Sequence, residues 1–318
     1  MRAIVCLGND CSRPKPLWSL PKPGPQPCDW GYHGARRLSQ HGSFPGQVGY
    51  IAADDPDLKP KFFRMCEEVL EKYREDDRIL FWDIWNEPGN NGREKASAGL
   101  VREMFELAWL VGVTQPCAAD IWDGRIDAGS DTAEGVAAEL SDIISYHCYQ
   151  PLAGQIALAD KLAARFGRPM INTEWLARIL GCDVQDCFPF FAQRRIGCVN
   201  WGFVAGKYQT YEPHEYMWRQ IESGGGKDYR MTKWFHDLIR PSLRPYDPEE
   251  IDIIRNVSAQ MDAVRHTVSR SVAWVMVLIV LSLIIAILLN RDIKGRGLFR
   301  VIFFIPFLLG DRKSTRLN

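Results

Sequence analysis

Short apolar runs alternate with longer amphipathic segments over the first 240 residues. In the segment 57–73, Phe62, Cys66 and Leu70 recur at helical spacing, which predicts a helix with one buried face. Runs such as 79–85 are too short and too continuously apolar for this and predict buried strands. The predicted strands are 2–7, 79–85, 117–122, 143–149, 169–175 and 197–204, and the predicted helices are 57–73, 94–110, 132–140, 156–166, 186–194 and 231–239.

Strand and helix follow one another without hairpin signals, which is typical of parallel βα units. An eightfold barrel needs eight strands, and six are predicted. The sheet is therefore open, or the chain lacks two units of a barrel. A long stretch rich in proline and glycine, 11–57, follows the first strand and predicts an irregular segment beside the fold.

Composition excludes some classes of protein. Lys+Arg and Asp+Glu are both 39 in the 318 residues, so the formal net charge is zero. Nucleic-acid binding is not expected, because it is usually accompanied by a basic excess. The nine cysteines form no CxxC pair and have no histidine at zinc spacing, which favours reduced thiols and a cytosolic compartment. The N-terminal sequence does not read as a signal peptide.

The segment 272–289 contains no charged residue and a single polar one, Ser282. A bilayer is spanned by roughly 20 apolar residues, so this segment predicts a transmembrane helix. The alternative is a helix buried in a soluble core. We favour the membrane because no face of the helix is polar enough to contact water.

Two carboxylates stand at strand ends. Glu87 follows the second predicted strand, and Glu174 lies near the end of the fifth. The carboxyl ends of parallel strands share one edge of the sheet, where parallel α/β folds place their chemistry. We therefore expect the two groups to face each other. A carboxylate pair of this kind suits cleavage of a glycosidic bond, in which one group transfers a proton and the other attacks or activates water.

Four motifs occur in order at strand ends: Trp-Asn-Glu-Pro at 85–88, His-x-Tyr at 147–149, Thr-Glu-Trp at 173–175 and Asn-Trp-Gly at 200–202. This set resembles the glycoside hydrolases of clan A, most nearly family 5 and its cellulase-like relatives. The resemblance covers roughly residues 2 to 255. It implies hydrolysis of O-glycosidic bonds in β-linked glycans by a retaining two-glutamate mechanism, with an oligo- or polysaccharide substrate and no cofactor or metal.

The resemblance also implies residue roles. Glu87 would be the general acid/base and Glu174 the nucleophile. Tyr149 would donate a hydrogen bond to the nucleophile, and Trp201 would form an aromatic floor under the sugar. The positions implied for substrate binding are Asn86, His147, Tyr149, Trp201, Lys207 and Gln209.

In this family the acid/base lies on strand four and the nucleophile on strand seven, whereas here they lie on the second and fifth predicted strands. The two residues are three strands apart in both cases, but each lies two strands earlier in this chain than in the family. The expected fold is therefore an α/β, partial (β/α)8 TIM barrel that lacks its first two βα units, and with them the family's usual arginine beside the nucleophile. A C-terminal transmembrane helix would follow.

The C-terminal part differs in character. Residues 272–310 resemble a permease subunit of a bacterial sugar ABC transporter, with one membrane helix, a basic loop and the start of a second helix. The expected division is a hydrolase domain at 1–255, a junction at 256–271, the permease-like segment, and a tail at 311–318 that resembles a translated sequencing adapter. We interpret the whole as a hydrolase fragment joined to a permease fragment by fusion or mis-assembly.

Two other functions stay open at this point. The chain could be a membrane component of a sugar transporter, or a non-catalytic carbohydrate-binding remnant. The expected location is the membrane through 272–289, although the absence of an export signal favours a cytoplasmic hydrolase domain.

Overall fold

A computed structural model of the chain describes residues 2–11, 50–126, 131–206 and 210–290. All six predicted strands are present, and each is shorter than predicted. They are β1 Ala3–Cys6, β2 Ile79–Asp83, β3 Cys117–Ala118, β4 Ile144–His147, β5 Met170–Trp175 and β6 Gly197–Asn200.

The strands are parallel and lie side by side in chain order. One sheet has the order β1-β2-β3 and another has β4-β5-β6. A parallel bridge between Ile121 and Tyr146 joins the segment that follows β3 to β4. The backbone N–H of Ile121 donates to Ser145 O (3.0 Å), and that of His147 donates to Ile121 O (2.9 Å). Six consecutive parallel strands thus present their carboxyl ends along one continuous edge.

Helices connect the strands, as the alternating pattern predicts. They are α1 Tyr50–Asp54, α2 Lys59–Tyr73, α3 Glu94–Val111, α4 Ala133–Leu140, α5 Leu152–Phe166, α6 Val184–Arg194, α7 Glu215–Glu222 and α8 Pro248–Asn290. The fold is therefore α/β with the succession of a barrel, while the absence of two barrel units stays a prediction.

The helix α3 shows how sequence sets the packing of this layer. Its residues Val101, Met104, Phe105 and Ala108 are fully buried and share one face. They pack with side chains of β2 and α2 in one hydrophobic cluster. The helix ends at Gly112 with φ of 74°, a left-handed conformation that glycine adopts without strain. The buried face holds α3 against the strand that precedes Glu87.

The predicted helix at 231–239 is wrong, because this segment is a series of turns. Its backbone forms hydrogen bonds and bridges with distant segments of the chain. The N–H of Phe235 donates to Tyr211 O (2.8 Å), and Ile239 forms a parallel bridge with Val204. Phe235 and Leu238 are buried, so the apolar spacing reflects packing against other segments. The short helix α7 is not among the predicted helices.

The helix α8 begins within the first part of the chain and continues far beyond it. The chain divides into two units, Met1–Val257 and Ser258–Asn318. Ile251, Ile253 and Ile254 at the start of α8 pack against the core. Between Ser258 and Ile284 every described side chain is exposed. The part Pro248–Leu281 is long and apolar enough to cross a membrane, with a mean hydropathy of 1.4 in its most apolar window.

Candidate active site

The structure brings Glu87 and Glu174 together at the carboxyl edge of the sheet. One carboxylate oxygen of each, together with a ring nitrogen of His147, lie within 4.8 Å of one another. Glu87 follows β2, His147 ends β4 and Glu174 lies in β5. The structure thus brings together the two glutamates expected to face each other, and His147 lies with them, although the three residues are far apart in sequence.

The turn that carries Glu87 has an unusual backbone. Glu87 has φ of 48°, in the left-handed region that residues with a side chain seldom adopt. Such a conformation costs of order 1–3 kcal/mol and persists only where its surroundings hold it. Here the N–H of Asn86 donates to Gly8 O (2.9 Å), and that of Asn90 donates to Glu87 O (3.1 Å). The strain lies at the residue predicted to be catalytic.

The buried carboxylate of Asp10 braces the same turn from behind. Its Oδ2 accepts hydrogen bonds from the N–H of Gly89 (2.7 Å) and from the hydroxyl of Ser97. Its Oδ1 accepts one from Arg93 Nε (3.1 Å). Its own N–H donates to Asn86 O (3.1 Å). Asp10 thereby ties the end of β1 and the start of α3 to the turn after β2.

His147 lies between the carboxylates and is 3% exposed. Its Nδ1 lies 2.9 Å from Glu87 Oε1 and 3.6 Å from Glu174 Oε2. Its Nε2 lies 3.4 Å from Asp120 Oδ2. Burial lowers the pKa of His147, but the charges of Glu174 and Asp120 and the hydrogen bonds to Asp120 and Glu87 outweigh this and raise it well above its usual range.

Glu87 receives several hydrogen bonds. Besides His147, its Oε2 accepts from Asn90 Nδ2 (2.6 Å) and from the thiol of Cys11 (2.9 Å). Burial alone would raise the pKa of Glu87. The hydrogen bond and charge of His147, with the bonds from Cys11 and Asn90, lower it instead. The free protein therefore holds Glu87 as a carboxylate.

Glu174 has a different environment. Its Oε2 accepts a hydrogen bond of 2.5 Å from the hydroxyl of Tyr149, the contact that the His-x-Tyr motif predicts. Burial, opposed by the charge of His147 and reinforced by that of Glu87, raises the pKa of Glu174 to about 7. Two carboxylates this close share protons as a pair, and the more weakly stabilised member keeps the proton. When the pair holds one proton, Glu174 is therefore the member that favours it, and it loses this proton as the pH rises through about 7.

Two further buried carboxylates face this group and were missed at the sequence level. Asp120 follows β3, and its charge contributes to the shifts of both His147 and Glu174. Asp83 lies in β2, where burial, followed by the charge of Asp120, raises its pKa well above the usual range. Each lies two residues before the end of a predicted strand, 79–85 or 117–122, so attention to the last residues of each strand could have found them. Cys11 and Asn90 had no such signal.

The other residues predicted to bind substrate are Asn86, Trp201, Lys207 and Gln209. Asn86 is half-buried, and its Nδ2 donates to Cys11 Sγ (3.2 Å). Trp201 follows β6 and is half-buried. Lys207 and Gln209 lie outside the described residues. The roles given to all these residues stay predictions.

The spacing of Glu87, His147 and Glu174 also fits side chains that hold a cation. In the described structure the imidazole Nδ1 is at hydrogen-bond distance from Glu87, and both ring nitrogens face carboxylate oxygens. The three residues therefore form a cluster in which His147 bonds Glu87 at 2.9 Å and lies 3.6 Å from Glu174.

No protein-family model matches the chain, and no curated protein matches it. Several solved structures are similar in fold. Xylanase 10B from Thermotoga maritima has 14% sequence identity and a TM-score of 0.44, and the match covers 70% of this chain and 73% of that one. Xylanase A from P. fluorescens subsp. cellulosa, solved as a mutant with xylopentaose, has 13% identity and a TM-score of 0.45, with 67% and 75% covered.

A GH2 β-galacturonidase from Eisenbergiella tayi is similar with 13% identity and a TM-score of 0.45. The match covers 65% of this chain but spans only 38% of the length of that enzyme. The solved structures named here are thus all glycoside hydrolases. At these identities and TM-scores the likeness does not establish the family of this chain.

Proposed function

We propose that the chain carries the active site of a retaining hydrolase of β-linked glycans. The observation that supports this best is the carboxylate pair, with oxygens of Glu87 and Glu174 within 4.8 Å at the carboxyl edge of a parallel sheet. Retaining enzymes hold their two carboxyl groups roughly 5–5.5 Å apart, whereas inverting enzymes need about 6.5–9.5 Å to admit a water. The short separation favours retention. The substrates implied by the family resemblance are those of cellulases, mannanases and xylanases.

In this mechanism Glu174 attacks the anomeric carbon while Glu87 protonates the departing oxygen. A glycosyl–enzyme intermediate forms, and Glu87 then takes a proton from the water that hydrolyses it. Tyr149 holds the Oε2 atom of Glu174 through its 2.5 Å hydrogen bond. Asn86 would hold the sugar 2-hydroxyl, and Trp201 would lie under the ring.

The resting protonation differs from what the first step needs. The attack requires an ionised Glu174 and a protonated Glu87, whereas the free protein favours the reverse. The same single proton serves both arrangements, so the competent form is a minor tautomer of the singly protonated pair.

The pH dependence of hydrolysis tests the proposal. Because the pair must keep one proton, kcat/KM for an aryl β-glycoside is expected to fall as the pH rises through about 7, where Glu174 loses that proton. The acid limb is expected below the usual carboxyl range, since the pKa of Glu87 is lowered. Initial rates between pH 4 and 9 check this. A rate that stays constant from pH 6 to 8 contradicts it.

We also infer that residues 272–289 hold the chain at a membrane. The segment is uncharged, and its described side chains are exposed all round the helix. Full-length protein is expected to float with phosphatidylcholine vesicles, and a Val277→Lys, Leu281→Lys variant to float much less, because a charge in the bilayer centre is costly. Full-length protein that stays in the bottom fraction contradicts this inference. A role as transporter component stays a prediction, since the described residues contain one candidate span.

A further inference from the structure

His147 is surrounded by acidic groups from three strands. Glu87 and Asp83 face it from β2 and the turn after it, Asp120 from the end of β3, and Glu174 from β5. Tyr149, two residues further along its own strand, bonds to Glu174. The groups that raise the pKa of His147 most are all acidic, namely Glu174, Asp120 and Glu87, so the ring is the basic member of these contacts.

The contacts of the two ring nitrogens of His147 indicate how many hydrogens the ring carries. A neutral imidazole has one N–H and one bare nitrogen, and the bare nitrogen cannot bond to a carboxylate oxygen. Here Nδ1 faces Glu87 at 2.9 Å and Nε2 faces Asp120 at 3.4 Å. Both nitrogens need a hydrogen to avoid contact between lone pairs. The pKa values of Glu87 and Asp120 are both lowered, which favours their ionised forms. An imidazolium satisfies both contacts, whereas a ring with its only hydrogen on Nδ1 would leave a bare Nε2 facing Asp120.

Asp120 is itself rigidly held. It is 1% exposed. Its Oδ1 accepts hydrogen bonds from the hydroxyl of Ser145 in β4 and from that of Thr173 in β5 (3.0 Å). These bonds leave Oδ2 directed to His147. Two neighbouring strands thus fix the orientation of a carboxylate that touches neither predicted catalytic glutamate in the contacts described.

The position of the ring makes its charge selective. Nδ1 is 2.9 Å from Glu87 but 3.6 Å from Glu174. A positive charge stabilises the nearer carboxylate more strongly. We propose that Asp120 is a positioning residue that keeps His147 an imidazolium, and that this ring charge sets which of the two glutamates holds their shared proton. The inference rests on the proposed function for its catalytic meaning, but the protonation of the ring can be measured without turnover.

The test is ¹⁵N NMR of the His147 ring in the full chain, assigned with a His147→Gln variant. In wild type both ring nitrogens are expected to carry hydrogens at pH 7. In Asp120→Asn the hydroxyl partners and side-chain volume are kept but the charge is lost. Its midpoint for loss of the ring charge is expected to fall by about 1–3 pH units, the usual effect of an adjacent opposite charge. Asp123→Asn, which removes an exposed carboxylate near the same strand end, is the control and should titrate as wild type.

A neutral ring in wild type at pH 7 overturns the proposal without any variant, so it stays testable even if Asp120→Asn fails to fold. Equal midpoints in wild type and Asp120→Asn also overturn it. If the ring behaves as expected but the wild-type chain hydrolyses no β-glycoside, the proposed function fails and the inference about Asp120 stands.

Discussion

Replacing Glu87 by alanine is expected to lower the hydrolysis of an unactivated β-glycoside by about 10²- to 10⁴-fold, the usual contribution of a positioned proton donor. A dinitrophenyl β-glycoside should be much less affected in the first step, because its leaving group departs without a proton. Replacing Glu174 by alanine should abolish hydrolysis of both substrates, since no glycosyl–enzyme intermediate can form. The contrast between the two leaving groups assigns the two roles separately.

A control variant should lose a carboxylate that lies away from the candidate site. Glu71 is exposed on α2, on the helical layer, and Glu71→Ala provides this control. Its rates should equal those of wild type on both substrates. A Glu87→Ala variant that loses both substrates equally would show that Glu87 does more than donate a proton, or that its turn has collapsed.

Replacing Arg178 by alanine is expected to lower the free energy of unfolding by about 3–5 kcal/mol, the range for breaking a buried ion pair. Arg178 is 1% exposed and bonds Glu250 in bidentate geometry, with Nε to Oε1 at 2.7 Å and Nη2 to Oε2 at 2.6 Å. Its Nη1 also donates to Asp237 O (3.1 Å). The alanine variant leaves the Glu250 carboxylate buried without its partner. Because domains are stable by only about 5–15 kcal/mol, this is a large loss.

Urea unfolding followed by tryptophan fluorescence measures this loss. Arg194→Ala is the matched control, because Arg194 pairs with Asp160 at 2.8 Å where both side chains are about half exposed. Exposed pairs contribute about 0–1 kcal/mol. The double variant Arg178→Met, Glu250→Leu should recover much of the stability, since apolar residues of similar size often replace a buried pair without loss. Equal midpoints for Arg178→Ala and Arg194→Ala would show that the buried pair does not stabilise the fold.

Much of the fold could be predicted from local pattern alone. Strands such as β1 and β2 are short runs made mostly of apolar residues, and helices such as α3 show a buried face at helical spacing. The predicted helix at 231–239 was wrong because the apolar residues of this segment are placed by their packing against other segments, not by helical periodicity. Phe235 pairs through its backbone with Tyr211, a contact that periodicity does not contain.

The candidate site was predictable where it depends on strand ends, and not where it depends on contacts across loops. Glu87, His147 and Glu174 follow from the parallel order of the strands. Cys11 has no such signal, because its bond to Glu87 joins residues 76 positions apart through a turn. The protonation order was also beyond the sequence, since it depends on burial and on the distance from His147 to each glutamate.

The rate of aryl β-glycoside hydrolysis by the wild-type chain beside Glu87→Ala, Glu174→Ala and Glu71→Ala tests the central claim most directly. A panel of glucosides, xylosides and mannosides covers the sugars that the resemblance implies. We expect turnover by wild type and by Glu71→Ala, and its loss in both site variants with the dependence on leaving group given above. Equal rates in all four proteins, or no turnover of any panel member by wild type, would contradict the assignment of Glu87 and Glu174 as a glycosidase pair.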